Sequence, residues 1–338
     1  MNKKILFSTI IVLSSFASAS LIDDAKNAGL APIPTDKKEL MKLIDNPKNP
    51  LNDAKVELGK ALYFEPRLSK SNLISCNTCH NLATGGVDGV SAAIGHKWTA
   101  NPHHLNSPTV YNAVFMERQF WDGREPDLEA QAQGPMQAAP EMAISKEMAV
   151  ARISSMAGYS EQFKEAFGDN NITFKKIADA IGAFERTLVT PSRFDKFLAG
   201  DEKALSTKEQ EGLKTFIDKG CTACHTGVGV GGGMQKFPLV KPYKYANIGD
   251  FKGNKDGMVK TPTLRNIAQT APYFHNGAVW SLEEAVKIMG ETQLGTELTD
   301  KEVKSIVTFL KSLDGEMPTI TYPKLAAVTE KTPKPDAE

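Results

Sequence analysis

Apolar residues recur along this chain at three- and four-residue steps. Ile177, Ala180, Ile181, Phe184 and Leu188 form one stripe, Leu213, Phe216 and Ile217 a second, and Val303, Ile306, Val307 and Leu310 a third. This period is that of a helix with one buried face. Start signals accompany the stripes: Ser206 with Glu209, Ser281 with Glu284 and Thr299 with Glu302 each match a capping box. Gly220 and Gly315 stand where helices are expected to stop. Long alternating patterns are scarce, so the expected fold class is mostly α. Residues 84–110 and 226–262 are long glycine- and proline-rich loops, a length that marks function or disorder in a compact domain. From Thr319 the chain is rich in Pro and Lys and is expected to be extended or mobile at its end. A weak repeat is visible: Leu58-Gly59-Lys60 opens a helix leading to Cys76, and Gly212-Leu213-Lys214 opens one leading to Cys221. A boundary near Thr190-Pro191 divides the chain into domains at 20–190 and 191–320, with a tail at 321–338.

The 338 residues suffice for about two domains, and 41% apolar content is enough to fill their cores. Lys and Arg (40) balance Asp and Glu (40), so bulk charge gives no case for nucleic acid or an anionic membrane surface. Residues 1–19 read as a secretory signal: Lys3 and Lys4, an apolar stretch from Ile5 to Phe16, and Ala17-Ser18-Ala19 as the small-residue cleavage pattern. The competing reading is a short membrane anchor, which the shortness of the core and its small-residue end disfavour. Past this segment no apolar run is long enough to span a membrane. The expected destination is a bacterial periplasm.

All four cysteines fall in two copies of one pattern, Cys76-Asn-Thr-Cys79-His80 and Cys221-Thr-Ala-Cys224-His225. Cys-x-x-Cys-His is the attachment signature of c-type haem. Two thiols at this spacing reach the two vinyl groups of one porphyrin, and the adjacent histidine supplies the proximal iron bond. A redox dithiol leaves the histidines unexplained. A structural disulfide explains no spacing, and a single zinc would need the pairs much closer together.

Two haems leave up to two further axial positions. His96, in Ile94-Gly95-His96-Lys97-Trp98, is either a removable iron ligand on a glycine-flanked loop or a surface histidine. His103 and His104 read as a solvated pair. Met289 is either a thioether ligand that raises its haem's potential or a core methionine. Glu141 is either a general acid/base beside a haem or a solvated carboxylate. Trp121 is either core or a waypoint between haems.

Further motifs carry a resemblance. Ile94-Gly95-His96, Asn106-Ser107-Pro108-Thr109, Phe120-Trp121-Asp122-Gly123-Arg124, Glu129-Ala130-Gln131 with Gly134-Pro135, Glu141-Met142, Thr261-Pro262-Thr263-Leu264-Arg265-Asn266 and Ala271-Pro272-Tyr273-Phe274-His275-Asn276-Gly277 occur together and in order. From about residue 36 to 318 the chain resembles the bacterial dihaem cytochrome c peroxidases. The resemblance implies two cytochrome c-like haem domains. The N-terminal one, on Cys76, Cys79 and His80, would be the low-potential peroxidatic centre. The C-terminal one, on Cys221, Cys224 and His225, would be the high-potential electron-transfer centre. It also implies that His96 is a distal ligand that leaves on activation, that Gln131 and Glu141 line the peroxide site with Glu141 as acid/base, and that Trp121 lies between the haems. Met289 would be the second haem's distal ligand. Asn106, Thr270 and Pro272 would hold a calcium ion. Residues 101–104 look like a small insertion in the activation loop. The implied partners are hydrogen peroxide, a small soluble donor (a c-type cytochrome or a cupredoxin) and a second copy of the chain as a homodimer.

Two other functions compete. A dihaem electron-transfer cytochrome would keep both irons six-coordinate and has no use for Glu141 or Gln131. A related dihaem enzyme that oxidises residues of a partner protein would carry tyrosine where Met289 stands.

Overall fold

The computed structural model describes residues 20–337, and the signal-like segment lies outside them. Among the described residues are twelve α-helices: α1 (Leu21–Asn27), α2 (Lys37–Ile44), α3 (Asp53–Tyr63), α4 (Cys76–Cys79), α5 (Leu128–Gln137), α6 (Lys146–Ser154), α7 (Ala157–Phe167), α8 (Phe174–Glu185), α9 (Arg193–Leu198), α10 (Thr207–Asp218), α11 (Leu282–Leu294) and α12 (Asp300–Lys311). One antiparallel hairpin, β1 (Met234–Lys236) with β2 (Met258–Lys260), lies inside the second long loop. The fold is mostly α. None of these helices is long and apolar enough to cross a membrane.

Two cores form. In the first, the α8 stripe of Ile177, Ala180, Ile181 and Phe184 is at most 2% exposed and packs with Leu58 and Leu62 of α3, Ala132 and Met136 of α5 and Phe163 of α7. In the second, Val303, Ile306, Val307 and Leu310 of α12 pack with Leu213 and Phe216 of α10 and with Phe194 and Phe197 of α9. The repeat seen in the sequence has a physical cause. A Cβ on Gly59 would lie 1.9 Å from the Ala180 carbonyl oxygen of α8, and one on Gly212 would lie 2.2 Å from the Ser305 carbonyl oxygen of α12. In each half the helix that leads to a Cys-x-x-Cys-His segment crosses the half's last long helix at a glycine, backbone against backbone.

The ends of the described chain exchange sides. Ile22, Ala25 and Leu30 pack in the second core. The segment after Ile320 is extended and returns to the first core: the Tyr322 and Phe64 rings lie 4.8 Å apart, Arg152 donates to the Lys334 carbonyl (3.0 Å), and Asp336 N donates to the Lys70 carbonyl (3.0 Å). Thr190 is the hub between halves. Its hydroxyl accepts from Asn112 Nδ2 (2.7 Å) and Asn266 Nδ2 (2.8 Å), and its N–H donates to Asn112 Oδ1 (2.9 Å).

The capping boxes at Ser206/Glu209 and Thr299/Glu302 form in full. At Ser281 only half forms, because the Glu284 carboxylate is drawn away to accept from the Tyr245 hydroxyl (2.8 Å). Gly220, at φ 83°, does close α10. Gly315 does not stop a helix. It lies beyond the α12 cap at Ser312, and a Cβ there would meet the Thr190 carbonyl oxygen at 2.1 Å.

A buried ion pair ties α9 to the Thr-Pro-Thr segment. Arg265 and Asp195 are 0% and 1% exposed and joined by two hydrogen bonds of 3.0 and 2.7 Å, while Asp195 also accepts from Ile33 N (2.7 Å) and Ser192 N (2.6 Å). Arg265→Met strands that carboxylate in the core. It is expected to destabilise the protein by about 3–5 kcal/mol in a denaturant titration. A loss under about 1 kcal/mol would contradict this account of the pair.

Candidate functional site

Each Cys-x-x-Cys-His segment opens onto its own cavity. The first, of about 400 Å³, is lined by Cys76, Cys79 and His80 together with Gln131, Glu141, Trp121, Asn106, Thr270 and Pro272. The second, of about 170 Å³, is lined by Cys221, Cys224 and His225 together with Met289 and a largely apolar wall. A single metal cannot use both cysteine pairs, because they belong to different cavities. All four cysteines are free. Burial pushes the Cys79 thiol up to about 12 and the Cys221 thiol up to about 11, the opposite of what a reactive dithiol requires.

The histidines are prepared as neutral ligands. His80 Nδ1 lies 2.9 Å from the Pro108 carbonyl oxygen. A carbonyl can only accept, so Nδ1 carries the hydrogen and Nε2 keeps its lone pair. Burial lowers the His80 pKa and drives that of His225 to about 4. Free thiols, neutral imidazoles and apolar walls fit two c-type haems.

Helical spacing supplies much of both walls. On α5, Leu128, Gln131, Ala132 and Pro135 share the face that lines the first cavity. On α11, Leu282, Ala285, Val286, Met289 and Gly290 line the second. Glu141 sits in the turn after α5, with its N–H donating to the Ala138 carbonyl (2.9 Å). Burial raises its pKa, and Arg124 opposes the rise. Among the described residues, no Asp or Glu lines the second cavity.

His96 is buried but does not line the first cavity. Its N–H donates to the Glu141 carbonyl (2.7 Å), and its buried Nδ1 has no protein partner. Gly95 makes that contact possible, since a Cβ there would lie 2.1 Å from the Pro140 carbonyl oxygen. The loop is conformationally costly: Lys97, Trp98 and His104 have φ of 61°, 55° and 52°. His103 is not merely solvated. Its Nδ1 lies 3.0 Å from both Asp250 carboxylate oxygens, joining the two long loops.

The wall between cavities is built twice from one pattern, which the sequence reading did not find. Ser107-Pro108-Thr109-Val110-Tyr111-Asn112 and Thr261-Pro262-Thr263-Leu264-Arg265-Asn266 end in asparagines at φ 61° and 59°, and their threonines donate to Gly85 O (2.7 Å) and Gly229 O (2.9 Å). Phe120-Trp121-Asp122-Gly123 and Phe274-His275-Asn276-Gly277 form a second matched pair, inside the bridges Gln119–Glu125 and Tyr273–Val279. The two halves then cross over. Asn106 N donates to the His275 carbonyl and Lys260 N to the Trp121 carbonyl, each at 2.8 Å. Trp121 Nε1 donates to the Asn106 carbonyl (3.0 Å), and its ring meets His275 edge-on at 6.4 Å. Trp121 and Lys260 line both cavities. The signal was a repeated [ST]-P-T-x-x-N, split by substitutions that hide it from simple comparison. Glu185 was also missed: it is buried on the first cavity and pushed up to about 8 by burial and by Glu129.

Comparison with known proteins agrees with this architecture. The family described as di-haem cytochrome c peroxidase matches residues 53–203, and cytochrome c matches residues 209–314. The chain is 44% identical to a cytochrome c551 peroxidase of Pseudomonas aeruginosa over 94% of each chain. It is 47% identical to one of Nitrosomonas europaea, over 84% of this chain and 87% of that one. A solved MauG-like protein associated with microbial copper homeostasis superposes with a TM-score of 0.70 at 29% identity, covering 80% of this chain and 93% of that one. With two haem-type cavities, each framed by its own Cys-x-x-Cys-His segment, and relatives this similar along nearly its whole length, the chain belongs to the di-haem cytochrome c peroxidase family, whose members carry two c-type haems.

Proposed function

We infer that this peroxidase works in the periplasm and reduces hydrogen peroxide in the first cavity, with electrons arriving through the second from a small soluble c-type cytochrome or cupredoxin. One peroxide, two electrons and two protons yield two waters. The observation that carries this reading is the asymmetry of the cavities: Glu141 and Gln131 face the one with His80, while no carboxylate of the described residues faces the one with His225.

Haem, when bound, supplies the one-electron and O–O chemistry. The chain's residues do the rest. His80 would be the iron ligand of this site, its imidazole oriented by the Pro108 carbonyl. His96, on the loop beside this cavity, would be the removable iron ligand whose absence leaves room for peroxide. The Glu141 carboxylate takes the proton from one peroxide oxygen and returns it to the departing one. The Gln131 amide orients the peroxide. Trp121 carries charge between the sites. Met289, on the wall of the second cavity, would supply a thioether ligand that raises that haem's potential. Neutral oxygens of Asn106, Thr270 and Pro272, which all line the first cavity, would hold a calcium ion, a donor type that suits a hard cation. The homodimer and the donor class rest on the family resemblance.

The test is stoichiometry. With a reduced small cytochrome or cupredoxin as donor, two molecules are expected to be oxidised per peroxide consumed. A dihaem electron carrier would consume no peroxide, and that result would displace this reading.

A further inference from the structure

Lys260 is a buried cation at the junction of the two cavities, and none of the roles above uses it. It is 6% exposed and lines both. Its place is fixed by backbone: β2 pairs it with Met234, and its N–H donates to the Trp121 carbonyl (2.8 Å). Among the described residues, its ammonium forms no hydrogen bond or ion pair. Burial pushes its pKa down to about 8, with Asp122 pulling the other way. A lone buried ammonium is costly unless an anion meets it.

Each c-type haem brings two propionate carboxylates, and these need cations wherever they are buried. In the second cavity Lys260 is the only Lys or Arg among the described lining residues. In the first, the other is Arg124, already paired with Asp122 (2.9 Å) and stacked on the Phe120 ring. The duplicated wall adds an independent reason. Lys260 precedes Thr261-Pro262 as Asn106 precedes Ser107-Pro108, and each donates its N–H across to the other half. One half thus sets at the wall the asparagine of the candidate calcium site, and the other sets an amino-acid cation.

We propose that the Lys260 ammonium binds propionate carboxylates of both haems at the shared wall and so raises the reduction potentials of both irons. A positive charge beside an iron favours its less positive, reduced form. Removing the charge therefore lowers the potential. The proposal rests on the two attached haems, not on peroxide chemistry, so the donor-to-peroxide stoichiometry is scored separately.

The test is a spectroelectrochemical titration of the two-haem protein as wild type, K260Q, K260M and K260R. In the neutral variants both potentials are expected to fall, by at least a tenfold change in electron affinity at the second iron, about 59 mV for one electron. K260R is expected to keep both close to wild type. Unchanged potentials in a neutral variant carrying two haems would overturn the proposal, as would K260R falling as far as K260Q. A fall at one iron alone would overturn the shared role. If neither neutral variant attaches two haems but K260R does, the requirement for a cation is upheld. If K260R fails as well, side-chain shape is what the wall needs and the proposal fails.

Discussion

Glu141→Gln is expected to bind peroxide normally and to turn it over at least about 100-fold more slowly, because the amide can neither accept nor return the proton. The side chain is nearly isosteric, and the backbone contacts that hold the turn, Glu141 N to Ala138 O and His96 N to Glu141 O, are untouched. The loss should therefore appear in kcat rather than KM. The sign of the pH effect follows from the buried carboxyl. Its pKa lies above the usual carboxylate range, and the deprotonated form is the one that accepts the proton. Wild-type kcat should fall as pH drops through that raised pKa, and the acid limb should vanish in the variant. Unchanged turnover, or an unchanged acid limb, would remove Glu141 from the chemistry.

His96→Gly is expected to consume peroxide from the fully oxidised resting state, with no prior one-electron reduction. Deleting the imidazole removes the side chain that would close the site, and His103, which lines the first cavity from the same loop, is engaged with Asp250. The structure adds a second way to reach the same state. Gly95 packs against the Pro140 and Glu141 backbone so closely that Gly95→Ala must lift the loop from that turn. It is expected to loosen the gate in the same direction while keeping His96. Stopped-flow mixing of each oxidised variant with peroxide measures both effects. If His96→Gly still requires pre-reduction, His96 is not the gate.

The stripes of α8, α10 and α12 were legible because burial on one face imposes a period that composition cannot hide. Both Cys-x-x-Cys-His segments were legible because thioether attachment fixes their spacing. What escaped reading was non-local. Gly315 resembles a helix stop in sequence, but its cause is a carbonyl 125 positions earlier in the chain, at Thr190. The Glu284 half of a capping box was lost to Tyr245, a partner no local rule contains. His103 is solvated as expected, but its pairing with Asp250 of the second loop lay beyond any local pattern. Lys260 falls inside the long loop 226–262, where nothing in the sequence singles it out, and the crossing of the two wall segments buries it. The site residues taken from the resemblance divide in the same way. Gln131, Glu141, Trp121, Asn106, Thr270 and Pro272 meet on one cavity and Met289 on the other, whereas His96 lies buried beside that first cavity and not on its lining.

The most direct test of the central claim is the coordination state of the first iron when only the second is reduced. Adding one electron per molecule to the two-haem protein should leave the second site six-coordinate and turn the first high-spin by optical and electron paramagnetic resonance spectra, after which peroxide should return both to an oxidised form. Two irons that remain low-spin and six-coordinate in the half-reduced protein, with added peroxide left unconsumed, would contradict the account.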